Sequence, residues 1–164
     1  MANTRELAEA VIRRLLLGAE VWGLRFGPPP DILFGISHAV PSDYRQPYLK
    51  LESRWTVFPS IPATFPRNEQ DLPELSHDEE LEIICSLKRD TVSDVQIVGS
   101  ECHLMLTLQT GRAIFVNGYH ERYECWEVGN SWGRGAEEVW LVVACAASGG
   151  VVTYAPHWFR ADVE

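Results

Sequence analysis

Cys102 and His103 stand side by side, and a cysteine beside a histidine is the pairing that generates a thiolate nucleophile. They fall at the start of an alternating stretch, where neighbouring side chains point to opposite faces of a strand, so they form no local dyad. Cys102 with the distant His120 or His157 remains open as a pairing. The five histidines (His38, His77, His103, His120 and His157) show no i,i+4 pair and no zinc-type Cys/His spacing. GxSxG, P-loop and GxGxxG patterns are also missing. Gly133-Arg134-Gly135 reads as an anion-binding run of amides or as a plain turn. Glu137 and Glu138 approach a strand and split between its faces. Cys85, Cys102, Cys125 and Cys145 make no CxxC pair, which favours reduced cysteines packed as small apolar residues. The expectation is a non-enzymatic chain with no catalytic residue, no metal and no cofactor.

The strongest chemical signal is charge. Between Glu69 and Glu82 there are seven acids, Glu69, Asp71, Glu74, Asp78, Glu79, Glu80 and Glu82, and no Lys or Arg. Acids in the first turn of a helix are favoured by its macrodipole, which accounts for Asp78, Glu79 and Glu80. The same run would also steer a cationic partner electrostatically. Trp132 and Trp158 lie in a glycine-rich loop and in the tail, where aromatics serve as binding anchors or dock on the protein's own core. The candidate partner-binding set is therefore these seven acids with Trp132 and Trp158.

The elements that must position these residues are legible in the pattern. Asn3 with Glu6 forms a capping-box signature, and Leu7, Val11, Ile12, Leu15 and Leu16 follow helical spacing up to Gly18. Strands are expected over 21–26, 32–37 and 48–58, with Gly27-Pro28-Pro29-Pro30 forcing a loop. Ser76 and Glu79 make a second capping box, and Leu81, Ile84 and Leu87 predict a helix over 77–89. Strands then follow at 92–98, 102–109, 113–116, 123–128, 140–146 and 151–154. Leu104, Leu106 and Leu108 share one face, and Asn117-Gly118 reads as a hairpin turn. The uncharged run 139–159 is long enough to span a membrane, but its Ser148-Gly149-Gly150 and Pro156 suit a buried hairpin better.

A gapless shift of 71 residues lays Leu16 on Leu87, Val21 on Val92, Leu33 on Leu104, Tyr48 on Tyr119 and Trp55 on Trp126. The expected fold is α+β: two α-β-β-β repeats with mainly antiparallel sheet, plus a C-terminal hairpin. Residues 1–58 form the first half-repeat, 76–130 the second, and 131–164 the hairpin and tail, in one domain. The connector 59–75 carries four prolines, which remove ladder donors and keep it out of the sheet.

The stretch 104–116 (LMLTLQTGRAIFV), followed by Tyr123-Glu-Cys-Trp126-Glu-Val, resembles small uncharacterised bacterial proteins. In those, a helix and a V-x-x-V strand precede an alternating hairpin and a Trp-bearing strand. They are similar to the immunity proteins of polymorphic and contact-dependent toxin systems. The resemblance covers roughly 80–130, with a fainter echo in 12–58, and Thr110 stands where relatives usually carry an acid. It implies a protein that inhibits a basic toxin domain, and it carries over no catalytic residue.

Composition agrees with a partner of that charge. The chain has 164 residues, 14 Lys+Arg against 23 Asp+Glu and a net charge of −9, with 46% hydrophobic residues. This suits a globular domain and argues against nucleic acid or an anionic membrane as partner. Arg5, Glu6, Glu9, Arg13 and Arg14 interrupt any apolar leader near the N-terminus, so the expected location is cytoplasmic, as monomer or homodimer. The alternative function is a small-molecule-binding domain or small enzyme with a site between the half-repeats, lined by His103, His120, Glu124 or Arg134.

Overall fold

The computed structural model describes residues 4–35, 46–130, 139–145 and 150–163. Helix α1 (Thr4–Leu16) leads into β1 (Val21–Arg25), β2 (Asp31–Phe34), β3 (Pro47–Leu51) and β4 (Trp55–Phe58). A single 3-10 turn, Glu69–Asp71, interrupts the connector before α2 (His77–Ser86). Strands β5 (Val92–Val98), β6 (His103–Leu108), β7 (Ala113–Val116) and β8 (Trp126–Asn130) follow. The hairpin β9 (Leu141–Cys145) and β10 (Gly150–Tyr154) and a short helix α3 (His157–Val163) complete the chain. The class is α+β, with two antiparallel sheets.

The sheets are built by exchange. Strands β1, β2 and β3 continue into β8, β9 and β10, while β5, β6 and β7 are completed by β4. Each half thus lends its fourth strand to the other's sheet. The expected single strand 48–58 therefore breaks after Leu51, because β3 and β4 belong to different sheets. Trp55 lies opposite Val116 and Trp126 lies opposite Leu51. Register shifts also fall at equivalent places, between Val21 and Gly23 and between Val92 and Asp94. These correspondences fit a repeated unit, but not as a gapless shift. Ile32 and Phe34 face the core like Leu106 and Leu108, and Tyr119 lies outside any strand. Turns of unequal length move the middle strands.

At the junction, Gly18 and Val21 donate to the Val92 and Asp90 carbonyls at 2.9 and 2.8 Å, and Val92 donates to Ala19 at 2.8 Å. A buried carboxylate anchors the turn there. Asp90 accepts from the Thr91 amide at 3.0 Å, from Arg112 at 3.1 Å and from the Thr110 hydroxyl. Burial disfavours its charge, but the donors from Thr110, Arg112 and Thr91 outweigh that and hold its pKa below 3.8.

Leu15, Leu16, Ile32, Leu49, Trp55, Leu104, Leu106 and Trp126 belong to one core drawn from both sheets and α1. The α1 side chains also cover the exposed edge of β5. Arg13 donates to the Val95 carbonyl at 2.5 Å, and Glu9 accepts the Ile97 amide at 3.1 Å. A charged cover of this kind keeps a strand edge from pairing with another chain. On the outer face of the four-stranded sheet, Leu72, Met105, Ala113 and Phe115 form a second cluster under the connector, where Phe65 stacks on Phe115 at 6.1 Å.

Three local expectations are corrected. Asn117-Gly118 makes no hairpin, since β8 leaves for the other sheet. Instead Asn117 is buried and donates to the Tyr119 carbonyl at 2.7 Å. Helix α2 ends at Ser86 rather than residue 89, and Arg89 takes a positive φ of 69°. The tail, where the sequence pattern predicts no element, carries α3. The run 139–159 contains the β9–β10 hairpin, and no helix among the described residues is long and apolar enough to cross a membrane.

Candidate functional site: an acidic pocket beside an aromatic cleft

The acidic segment is held in shape by its own side chains. Ser76 caps α2: its hydroxyl accepts the Glu79 amide at 3.2 Å, and Glu79 accepts the Ser76 amide at 2.7 Å. Asp71 accepts the Asn68 amide at 3.3 Å and closes the 3-10 turn in the same manner. Glu80 accepts the indole N–H of the buried Trp55 at 2.6 Å, tying α2 to the start of β4. Glu74 faces Arg54 at 3.6 Å with its side chain 85% exposed, so that pair contributes little. Asp78 and Glu82 are exposed and make no ion pair among the described residues. Capping thus claims Asp71 and Glu79, and Trp55 claims Glu80.

Tertiary structure then gathers carboxylates that the sequence separates. A pocket of about 430 Å³ lies where the β3–β4 corner meets the connector and α2. Glu52, Glu69, Glu74 and Glu80 line it, against a single basic residue, Arg54. Its apolar walls come from Pro28, Pro29, Leu51, Trp55, Pro73 and Leu75. Glu52 was not foreseen, because nothing in its local sequence distinguishes it. One of its oxygens meets Lys50 at 3.4 Å, while Oε2 is buried without a hydrogen-bond partner among the described residues. Burial raises the Glu52 pKa, opposed by Lys50 and reinforced by Glu124 and Glu127. A buried acceptor left open favours an incoming donor.

Glu69 also lines a second, larger cleft of about 770 Å³. The connector from Arg67 to Gln70 makes one wall, residues 117 and 119–123 make the other, and Glu101 lies between them. Tyr119 and Tyr123 are 46% and 61% exposed, and His120 packs on Tyr123 at 4.8 Å. Arg67 and Arg122 contribute positive charge, so this cleft is mixed where the pocket is acidic. It lies between the connector and the second half, not in a groove between the half-repeats.

The remaining expected residues are dispersed. Trp158, half exposed, packs against Trp140 at 5.8 Å and beneath the Arg14 guanidinium at 5.9 Å, and it lines neither depression. Trp132, Arg134, Glu137 and Glu138 lie outside the described residues. His103 is buried rather than lining a pocket. Cys102 stands in the turn before β6 with a positive φ of 55° and joins the main core, while His103, the first residue of β6, packs on Phe115 at 5.2 Å. All four cysteines are free, and burial pushes the Cys125 thiol up to about 11, away from thiolate chemistry. No group of three or more His, Cys, Asp or Glu among the described residues is arranged to hold a metal. No family model, curated protein or solved structure matches the chain.

Proposed function

We propose that this chain is a non-enzymatic protein-binding protein, an immunity-type inhibitor that neutralises a cationic bacterial toxin in the cytoplasm. The observation that supports this reading is the convergence of Glu52, Glu69, Glu74 and Glu80 on one pocket with apolar walls. A lysine or arginine side chain suits such a site. Its charged head meets the carboxylates, and its aliphatic stem lies against Pro28, Pro29 and Trp55. The surrounding acids, Asp71, Asp78, Glu79 and Glu82, add a field that speeds encounter with a basic surface. The exposed Tyr119 and Tyr123 next door supply the rigid aromatic area that interfaces favour. The toxin as partner rests on the resemblance in 80–130.

The test is copurification with the product of a neighbouring gene, followed by Glu69→Lys and Glu74→Lys. Neither residue serves as a cap or holds a core side chain, so folding is preserved. Slower association and a shallower salt dependence are expected. Unchanged binding would remove the pocket from the interface.

A small-molecule ligand is the second reading. The 770 Å³ cleft lies in the size range of small-molecule sites, and Arg67, Asn117, His120 and Arg122 converge on it. Thermal-shift screening against small anions and zwitterions distinguishes the two, since a protein interface gives no hit there.

A further inference from the structure

His103 lies on β6 beneath both walls of the larger cleft. Its side chain is 3% exposed, and its Nδ1 accepts the Gly118 amide at 2.9 Å. The proton therefore sits on Nε2, which lies 3.8 Å from Glu101 Oε2 and is directed toward the Arg67 backbone carbonyl. The ring packs on Phe115, which stacks in turn on Phe65 of the connector. The charged and polar groups around it come from four elements. Glu101 precedes β6, and the connector brings Arg67. From α1, Arg5 donates to the neighbouring Gly99 carbonyl. The 117–123 loop brings the Gly118 amide, and β7 contributes only the uncharged Phe115.

We infer that His103 is a proton-operated latch on the cleft: neutral, it holds the 117–123 wall closed, and protonated, it releases that wall. A second proton on Nδ1 sets one N–H donor against another, and the Gly118 bond is lost. Gly118 cannot retreat inward. A Cβ built there would lie 2.1 Å from the Cys102 carbonyl oxygen, so this backbone is already packed tight. The wall moves outward, carrying Tyr119 and Tyr123, while the imidazolium turns its charge to Glu101. Burial lowers the His103 pKa, with the Glu101 charge and the Arg67 backbone carbonyl opposing. A histidine depressed in the folded state stabilises that state fully above about pH 6.5, and the contribution is lost as pH falls through the folded value. Release of a partner in acid rests on the binding function proposed above, whereas the latch itself does not.

The experiment is an NMR titration of the full chain from about pH 8 to about pH 5. The His103 ring is expected to titrate below 6.5. Below that midpoint, protection of the Gly118 amide, corrected for intrinsic exchange, should fall about tenfold per pH unit. His103→Asn keeps an acceptor for Gly118 without titrating, so its protection should not depend on pH. Protection that ignores pH in the native chain, or the same pH dependence in His103→Asn, overturns the latch. If that variant does not fold, the native titration decides alone. A hexa-arginine peptide probes the consequence: binding should weaken at low pH more in the native chain than in His103→Asn, where only the pocket carboxylates titrate. A peptide that does not bind at neutral pH counts against the cationic-partner reading and leaves the amide measurement to judge the latch.

Discussion

The two helices occupy corresponding places in the two halves and have opposite environments. Helix α1 is covered on both sides, by β5 on one and by β8, β9, β10 and α3 on the other. Helix α2 leans on β1, and among the described residues the four-stranded sheet ends at β4 with no hairpin added beyond it. The sequences follow this difference residue by residue. At the 71-residue spacing, buried Ala8, Val11 and Leu15 correspond to exposed Glu79, Glu82 and Ser86. Leu16 and Leu87, which face the common core, are fully buried in both. The face of α2 that corresponds to the buried face of α1 is exposed and polar. A solvent-facing helix surface needs polar residues for solubility, and of the acids on α2 Glu79 caps the helix and Glu80 holds Trp55, while Asp78 and Glu82 lie exposed.

The comparison breaks most sharply if the two helices tolerate each other's residues. Leu15→Ser is expected to cost more than about 3 kcal/mol, since it opens a cavity and buries a hydroxyl in the core. The reverse change, Ser86→Leu, should stay within about 0.5 kcal/mol, as surface substitutions do. Urea unfolding of both variants measures this, and equal costs would abolish the distinction.

The junction comes next. Asp90 corresponds to Ala19, so only the second half carries a buried carboxylate there. Asp90→Ala leaves the donors of Thr91, Thr110 and Arg112 unpaired and should cost about 2–3 kcal/mol. Because its folded pKa is depressed, Asp90 stabilises the native state above pH 3.8 and loses that effect as pH falls through the folded value. Acid unfolding of Asp90→Ala should therefore be less steep than that of the native chain.

The tryptophans sharpen the contrast further. Trp55 donates to the Glu80 carboxylate, whereas Trp126 donates to the neutral Cys102 carbonyl at 3.1 Å. Replacement by Phe should cost about 1.5–3 kcal/mol at Trp55 and about 0.5–1.5 kcal/mol at Trp126, measured by denaturant midpoint. The smallest effect is expected at Glu74. Glu74→Gln removes an exposed ion pair with Arg54, and thermal unfolding should register less than about 0.5 kcal/mol.

Much of the local structure was written in short-range pattern. Ser76 with Glu79 predicted the cap that is observed, and alternation from Cys102 onward predicted which side chains of β6 reach the core. Capping and strand parity depend on residues within a few positions of each other, so one sequence suffices to read them. The acidic run was equally visible, and so was the like placement of Trp55 and Trp126, each buried at the start of a strand. Asn117-Gly118 shows the limit of such reasoning: its turn propensity is real, but the buried Asn117 side chain and the contact of Gly118 with His103 serve a crossing to the other sheet.

What the sequence determined by itself is the class of the fold, the helix caps, the faces of the strands and the placement of negative charge along the chain. Tertiary structure alone decided which sheet each fourth strand joins, and hence that Glu52 meets Glu69, Glu74 and Glu80 around Trp55. It also decided that His103 holds Gly118 rather than lining a site. The physical reason is range. Periodicity fixes the face on which a side chain lies, whereas the partner across that face is chosen by the closure of long loops and by burial shared among distant strands.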